Sequence, residues 1–348
     1  MSYFRYFLSI LFLMILSNVL AQRQFDKGKS MKAGTVSQFL LSVKDGTHEA
    51  ELPVKVIKGI KEGPVFTIVA GIHGYEYPPI IAMQKLMNEI KPEQLSGTVV
   101  VVPVANVAGF YGRSVFYNPE DGKNLNRVFP GRADGSISER LADLITREII
   151  TGSDVFLDIH AGDGNEDLAD FICYYDHKET PVQTALARKL SDESGFKLKV
   201  RYPFNLKADQ PSEYAFKQAT RQSVAALSIE AGKLGNVQPE AVDMIRNSVM
   251  NMLASMHMYK PEKQLKPEKS NWLTEQTYIK STVKGIFYSD LKSGAMVAEG
   301  QSLGYITDLF GKKLTEVTAP VAGLILYKIG TPPVLEEETL FCIGYENR

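Results

Sequence analysis

From residue 51 to about residue 260 the chain alternates short apolar runs with segments whose apolar residues recur at helical spacing. No other feature constrains its fold as much. The runs at 54–57, 65–70, 98–103, 155–160, 171–175, 198–202 and 224–230 read as strands. The segments at 79–90, 138–150, 181–194 and 239–259 read as helices. Ser136 and Glu139 have capping-box spacing at the start of the second helix. Val242, Ile245, Val249, Leu253 and Met256 stripe one face of the last, as a helix packed on a core requires. Alternating strands and helices specify an α/β layer fold with a largely parallel or mixed central sheet.

At 348 residues the chain is long for one domain and suited to two. Hydrophobic content of 44% with 23% charged residues argues against extensive disorder. A formal net charge of -1 gives no basic surface for nucleic acid or anionic lipid. The first 21 residues carry one charge, Arg5, then an apolar run at 7–16 and small residues at Val19 and Ala21. That layout is a secretory signal peptide, too short for a comfortable membrane span. The expectation is an exported protein, periplasmic or secreted, with no stable membrane insertion after signal cleavage. Residues 22–47 form a weakly patterned N-terminal segment. A catalytic domain is expected over 48–260 and a charged, proline-bearing linker over 261–274.

Residues 275–348 show no helical pattern and contain an internal echo: Val283-Lys284-Gly285-Ile286-Phe287 against Val321-Ala322-Gly323-Leu324-Ile325. Two such halves suggest a small all-β domain with pseudo-symmetry, similar to biotinyl/lipoyl-type modules. Lys312 and Lys313, in its middle, lack the flanks for cofactor attachment and read as solvated charges. Cys173 and Cys342, the only cysteines, fall in strands of different domains and read as buried thiols.

Gly71-Ile72-His73-Gly74-Tyr75-Glu76 leaves the strand at 65–70, and Asp158-Ile159-His160 closes another. In α/β sheets the loops beyond the carboxyl ends of strands build the site, so His73, Glu76 and His160 can meet on one metal ion. Two His and one Glu leave zinc an open fourth position, the arrangement of a catalytic site. His48, His177 and His257 lack such surroundings. Glu230 closes the apolar strand at 224–230, where an unpaired charge is costly unless it has a role. A general base that takes a proton from water and passes it to a leaving amine fits there; a salt-bridged strand terminus is the alternative. Asn124-Leu125-Asn126-Arg127 lies in a loop before a helix. Arg127 offers a planar fork for a substrate carboxylate and Asn126 a further hydrogen bond, unless the segment is only a turn and cap.

Taken together these motifs resemble the zinc carboxypeptidase superfamily, and within it the succinylglutamate desuccinylase/aspartoacylase branch, over roughly residues 50–345. The resemblance implies a zinc-carboxypeptidase-like domain with a mixed central sheet, followed by a small barrel-sandwich-like β domain. It implies one zinc ion per chain on His73, Glu76 and His160, with Glu230 as general base and Asn126 with Arg127 as the carboxylate anchor. Asp158 could orient a ligand from behind. Relatives place a carbonyl-polarising Arg just before the Asn-x-Asn-Arg motif. Here Phe116-Tyr117-Asn118-Pro119-Glu120-Asp121-Gly122 offers none, and Arg113 is the nearest candidate. Arg201, Arg221 and Tyr214 are further candidates for substrate contact. The expected activity is amide hydrolysis of a small, carboxylate-bearing N-acyl amino acid. A metallocarboxypeptidase acting on peptide or cell-wall peptide C-termini is the alternative enzyme. A non-catalytic zinc-bearing carboxylate-binding protein is the alternative outside catalysis.

Overall fold

The computed structural model describes residues 26–261 and 271–346; the signal-peptide reading and most of the linker reading lie outside the described residues. The strands of the first part are β1 (Thr35–Lys44), β2 (Glu49–Lys58), β3 (Lys61–Ala70), β4 (Ser96–Val102) and β5 (Val155–His160). They continue with β6 (Glu166–Leu168), β7 (Phe171–Asp176), β8 (Leu198–Pro203), β9 (Ala225–Glu230) and β10 (Asn271–Leu273). All but β6 form one nine-stranded sheet in the order β1-β2-β4-β3-β5-β9-β7-β8-β10. β4, β3, β5 and β9 run parallel to their neighbours in that series, while β7 returns antiparallel on β9. The sheet is therefore mixed.

The continuous apolar runs become its centre. Every residue of β5 is buried, as expected of a strand covered by helices on both faces. Helices α1 (Tyr77–Glu89), α2 (Val107–Gly112), α3 (Ile137–Leu144), α4 (Pro181–Glu193), α5 (Ala215–Arg221) and α6 (Pro239–Ser255) supply the cover. α1, α4 and α6 begin with proline at their first or second position, where no backbone donor is lost. On one face Met83 and Leu86 of α1, Leu190 of α4 and the α6 stripe of Val242, Ile245, Val249 and Leu253 pack on β3, β5 and β9. On the other, Leu141 of α3 and Ala215, Phe216 and Ala219 of α5 pack on the same sheet. The Glu139 carboxylate accepts a hydrogen bond from the Ser136 amide at 2.9 Å, the backward half of a capping box. No helix among the described residues is long and apolar enough to cross a membrane.

Several elements differ from the sequence expectation, among them β6, which falls outside every run read as a strand. β1 lies in the segment read as weakly patterned; it is an edge strand, largely exposed, and pairs along its whole length with β2. α2 and α5 are too short to show periodicity. Asn271–Leu273, read as linker, pairs parallel with β8 and buries Leu273.

The C-terminal strands are β11 (Glu275–Lys280), β12 (Gly285–Tyr288), β13 (Met296–Val297), β14 (Ser302–Thr307), β15 (Lys313–Thr318), β16 (Gly323–Ile329), β17 (Pro333–Val334) and β18 (Thr339–Tyr345). They form two antiparallel sheets, β11-β18-β16-β13 and β15-β14-β12-β17, around Phe287, Ile306, Ile325, Leu340, Phe341 and Ile343. The echoed glycines occupy equivalent tight places. A Cβ on Gly285 would lie 2.3 Å from the Thr307 carbonyl oxygen, and one on Gly323 would lie 2.6 Å from that of Gly344.

This β module is stitched to the first part through β6, which pairs antiparallel with β16. Asp167 of β6 accepts from the Ser293 amide at 3.2 Å, the Ser293 hydroxyl at 2.8 Å and the Lys233 ammonium at 2.9 Å. The Gly330 amide donates to the Asn165 carbonyl at 2.7 Å. Asp167→Ala leaves these partly buried donors without their acceptor and should lower stability by about 1–2 kcal/mol, the lower part of the range for hydrogen bonds to a charged group because the Lys233 side chain is partly exposed. Chemical denaturation checks this; an unchanged midpoint would mean that β6 pairing alone holds the module.

Candidate active site

The site lies at the carboxyl ends of β3, β5 and β9. Their parallel register places Ala70 beside Ile159, and His160 directly beside Glu230. The chain leaves β3 through Gly71, whose φ of +68° favours glycine. Gly74 is required by contact: a Cβ there would lie 2.1 Å from the backbone carbon of Gly109 in α2. The turn thus lies against α2, puts His73 over the strand ends and Glu76 at the N-cap of α1.

His73, Glu76 and His160 are buried, and one donor atom of each lies within 4.8 Å of the other two. His73 Nδ1 is 2.6 Å from Glu76 Oε1, and His160 Nδ1 is 2.9 Å from Glu76 Oε2. The far nitrogen of each ring is held from behind. Asn124 Oδ1 lies 3.0 Å from His73 Nε2. Asp158 Oδ1 lies 3.2 Å from His160 Nε2, within ion-pair reach but not aligned as a hydrogen bond. Both imidazoles therefore turn Nδ1 toward one point. Three converging donors with outer partners on both histidines fit a tetrahedral divalent ion with an open fourth position.

Burial alone would raise the Glu76 carboxyl, but the His160 and His73 imidazoles hold it below the usual carboxylate range. Burial would lower the His160 imidazole, yet Asp158 and Glu76 raise it well above its ordinary value. Burial pushes Glu230 up to about 8; His160 opposes this, while Glu76 and Asp158 add to it. A divalent cation at the triad reverses the local field and favours ionised Glu230.

These groups share a cavity of about 610 Å³ that also exposes Asn124, Asn126, Arg127, Tyr214 and Lys217. A two-residue bridge between Phe129 and Glu213 ties the Asn126–Arg127 loop to the start of α5. Asn126 Oδ1 accepts from the Ala215 amide at 3.0 Å, and its Nδ2 lies 3.4 Å from His160 Nε2. The Arg127 guanidinium stacks 4.6 Å from the centre of the Tyr214 ring, with Nη1 donating to the Asn126 carbonyl at 2.8 Å. The β module closes another wall with Gln276, Tyr278, Tyr327, Thr339 and Cys342. Cys173 and Cys342 are both buried free thiols, and both line this cavity.

The structure thus brings together His73, Glu76, His160, Glu230, Asn126 and Arg127. Arg113 does not join them. It caps α2 in the left-handed conformation, with φ of 51°, is exposed, and is absent from the cavity wall. Arg201 lies 3.6 Å from Asp176, and Arg221 is bonded to the Gln210 and Ala208 carbonyls; neither lines the cavity. Sequence reasoning missed Lys217, which follows Tyr214 by one helical turn, and the acidic pair Asp163 and Glu166 just beyond His160. Their only signal was charge placed close to a motif already recognised.

The family described as the succinylglutamate desuccinylase/aspartoacylase catalytic domain matches residues 62–256. The N-alpha-acetyl-L-2,4-diaminobutyric acid deacetylase of Halomonas elongata is 31% identical over 263 residues, 74% of this chain and 74% of its own. A succinylglutamate desuccinylase/aspartoacylase from Rhodobacter sphaeroides superposes with a TM-score of 0.79 at 21% identity, covering 90% of this chain and 96% of that one. The product-bound ectoine utilization protein EutE (DoeB) of Ruegeria pomeroyi gives 0.80 at 23% identity, covering 89% and 95%. The two solved structures are similar to this chain in fold.

The donor set makes a direct prediction. His160→Ala should empty the metal site, and Asp158→Asn should weaken metal affinity about 10–100-fold by releasing the ring. Elemental analysis after dialysis against graded chelator checks both; full occupancy in His160→Ala would remove it from the ligand set.

Proposed function

The chain belongs to the succinylglutamate desuccinylase/aspartoacylase family, and from that premise we propose that it is a zinc-dependent hydrolase of the amide bond in small N-acyl amino acids. One observation carries the reading: His73, Glu76, His160, Glu230, Asn126 and Arg127 line the same cavity. The Halomonas relative is named for removing an acetyl group from an amino-acid nitrogen, which supports an N-acyl amino acid as the substrate class. Residues 1–21 alone support placing the enzyme outside the cytoplasm.

His73, Glu76 and His160 would hold the ion. Zinc suits two imidazoles and a carboxylate, and when bound it supplies Lewis acidity and activates water at neutral pH. Arg127, braced on Tyr214, presents the free part of its fork to the substrate carboxylate. Lys217 adds a second positive charge from α5; its ammonium lies 5.9 Å from the centre of the same Tyr214 ring. Asn126 keeps the anchor loop at a fixed distance from α5 through its bond to the Ala215 amide. With the carboxylate fixed, the scissile amide can lie between the triad and Glu230. Glu230 takes the proton of the attacking water and delivers it to the amine nitrogen as the carbon–nitrogen bond breaks. Tyr278, Tyr327 and Thr339 from the β module limit the room beyond that bond, which favours a short acyl group over an extended peptide.

Glu230→Gln should retain metal and fold but lose roughly 10²–10⁴ in kcat, the range for a general base. Arg127→Ala should lower kcat/KM about 10–100-fold, mostly through KM, as the loss of a charge-assisted anchor does. Steady-state kinetics on paired panels of N-acyl amino acids and peptides checks both. Near-normal turnover by Glu230→Gln would remove that base. Efficient release of C-terminal residues from long peptides would favour a carboxypeptidase, and carboxylate binding without any turnover would favour a binding protein.

A further inference from the structure

Beyond Glu230 the cavity continues over β7 and β8, away from the metal triad, and the proposed mechanism gives that part no occupant. β7 runs antiparallel to β9, with Phe171 beside Glu230 and Cys173 beside Ser228. Residues two apart share one face of a strand, so Phe171, Cys173 and Tyr175 line the cavity as a row. Tyr202 of β8 stands opposite Tyr175, with ring centres 5.6 Å apart. From α5, Phe216 stacks on Tyr175 at 4.7 Å, the two rings 21° from parallel. The β module closes the far side of this lobe with Tyr278, Leu326 and Cys342.

The lobe differs from the rest of the cavity in the charge of its walls. Among the described residues that line the cavity, no charged side chain belongs to β7, β8 or the β module. Burial pushes the Cys173 thiol and the Tyr175 and Tyr202 phenols above their ordinary values, and the Cys342 thiol up to about 12. These walls therefore stay neutral at any working pH. An ionised group entering between them would lose its water without gaining an opposite charge, whereas an apolar group gains by being buried there. Positive charge sits only at the mouth. Arg127 stacks on Tyr214, and the Lys217 ammonium lies 5.6 Å from the centre of the Tyr175 ring and 5.9 Å from that of Tyr214. The carboxylate anchor and the lobe thus share a wall.

We propose that this lobe receives the side chain of the substrate's amino acid, and that the preferred substrates are N-acyl amino acids with a large apolar side chain, aromatic above all. A carboxylate on Arg127 and Lys217 puts the neighbouring carbon beside Tyr214 and Tyr175, at the mouth of the lobe. A side chain on that carbon enters between Tyr202 and Cys342, where an aromatic ring can stack on or meet the edges of the tyrosine rings. The acyl group lies on the other side of the scissile amide. The proposal rests on the amide-hydrolase reading for its catalytic consequence, but the lobe is a binding feature and can be tested separately.

The test uses the full mature chain, metal-replete, at pH 7, with the Nα-acetyl derivatives of phenylalanine, alanine, aspartate and 2,4-diaminobutyrate. Wild type should show kcat/KM about 10–100-fold higher for phenylalanine than for alanine, the gain expected from burying an aromatic side chain. Phenylalanine should also exceed both charged members. Cys342→Leu adds bulk to the lobe wall and should cut the phenylalanine-to-alanine ratio about tenfold, as overpacking does. Equal kcat/KM for phenylalanine and alanine, a charged member as the best substrate, or an unchanged ratio in Cys342→Leu would overturn the proposal. So would faster turnover of Nα-octanoylalanine than of Nα-acetylphenylalanine, because the lobe would then hold the acyl group. If Cys342→Leu does not fold, crystals of Glu230→Gln soaked with Nα-acetylphenylalanine decide: a ring between Tyr202 and Cys342 supports the proposal, and a ring elsewhere overturns it. If no member is hydrolysed, the amide-hydrolase reading fails, and calorimetry with Nα-acetylphenylalanine and Nα-acetylalanine judges the lobe alone. Binding of the phenylalanine derivative at least about tenfold tighter supports it; equal or absent binding overturns it.

Discussion

The parallel pairing of β5 with β9 is the contact on which the rest of the site depends. It sets His160 beside Glu230 at the last position of each strand. Both strands are buried along their length, so functional polar groups collect at the ends, where the sheet opens. Asp158 is the exception inside β5. It is fully buried on the same face as His160, and its proximity to that imidazole explains its tolerance there. A shift of one residue in this register would turn His160 away from Glu76 and move Glu230 to the opposite face of the sheet. The hydrophobic matching of the strands thus specifies the chemistry indirectly, by fixing which side chains can share one edge.

The β module belongs to the same argument. Its own core makes it a folded unit, but Leu326 and Cys342 also join the hydrophobic cluster beneath the cavity. Its β16 strand captures β6 from the loop between His160 and β7. That loop carries Asp163 and Glu166, so the module both closes a wall and fixes the side chains opposite it. The carboxylate anchor is built in a parallel way, with the Phe129–Glu213 bridge and the Asn126–Ala215 bond tying a loop to α5. Each functional loop is held by a specific backbone contact with a distant segment.

These distant contacts mark the boundary of what the sequence reveals. β5 and β9 are legible because uninterrupted apolar runs identify buried strands, and the residues closing them, His160 and Glu230, stand out by polarity. His73 and Glu76 are legible for the same reason, with Gly71 and Gly74 marking a turn under close contact. β1 is not legible, since an exposed edge strand is held by its ladder with β2 rather than by apolar alternation. Lys217 and Asp163 are ordinary surface-type residues in the sequence; only the packing of α5 and the β6–β16 pairing turns them into the cavity. Arg113 shows the converse. It is near Asn126 and Arg127 along the chain, but the left-handed cap of α2 leaves it exposed and outside the site.

The central claim is that one metal ion sits on His73, Glu76 and His160 with Glu230 facing the substrate. Anomalous diffraction on either side of the zinc absorption edge tests it most directly, using crystals of the metal-replete Glu230→Gln protein soaked with an N-acyl amino acid. The account predicts a single zinc peak per chain at about 2.0–2.2 Å from Nδ1 of both histidines and a Glu76 carboxylate oxygen. It also predicts the amide of the bound substrate between that peak and residue 230. A zinc peak on other side chains, or a substrate bound away from this triad, would contradict it.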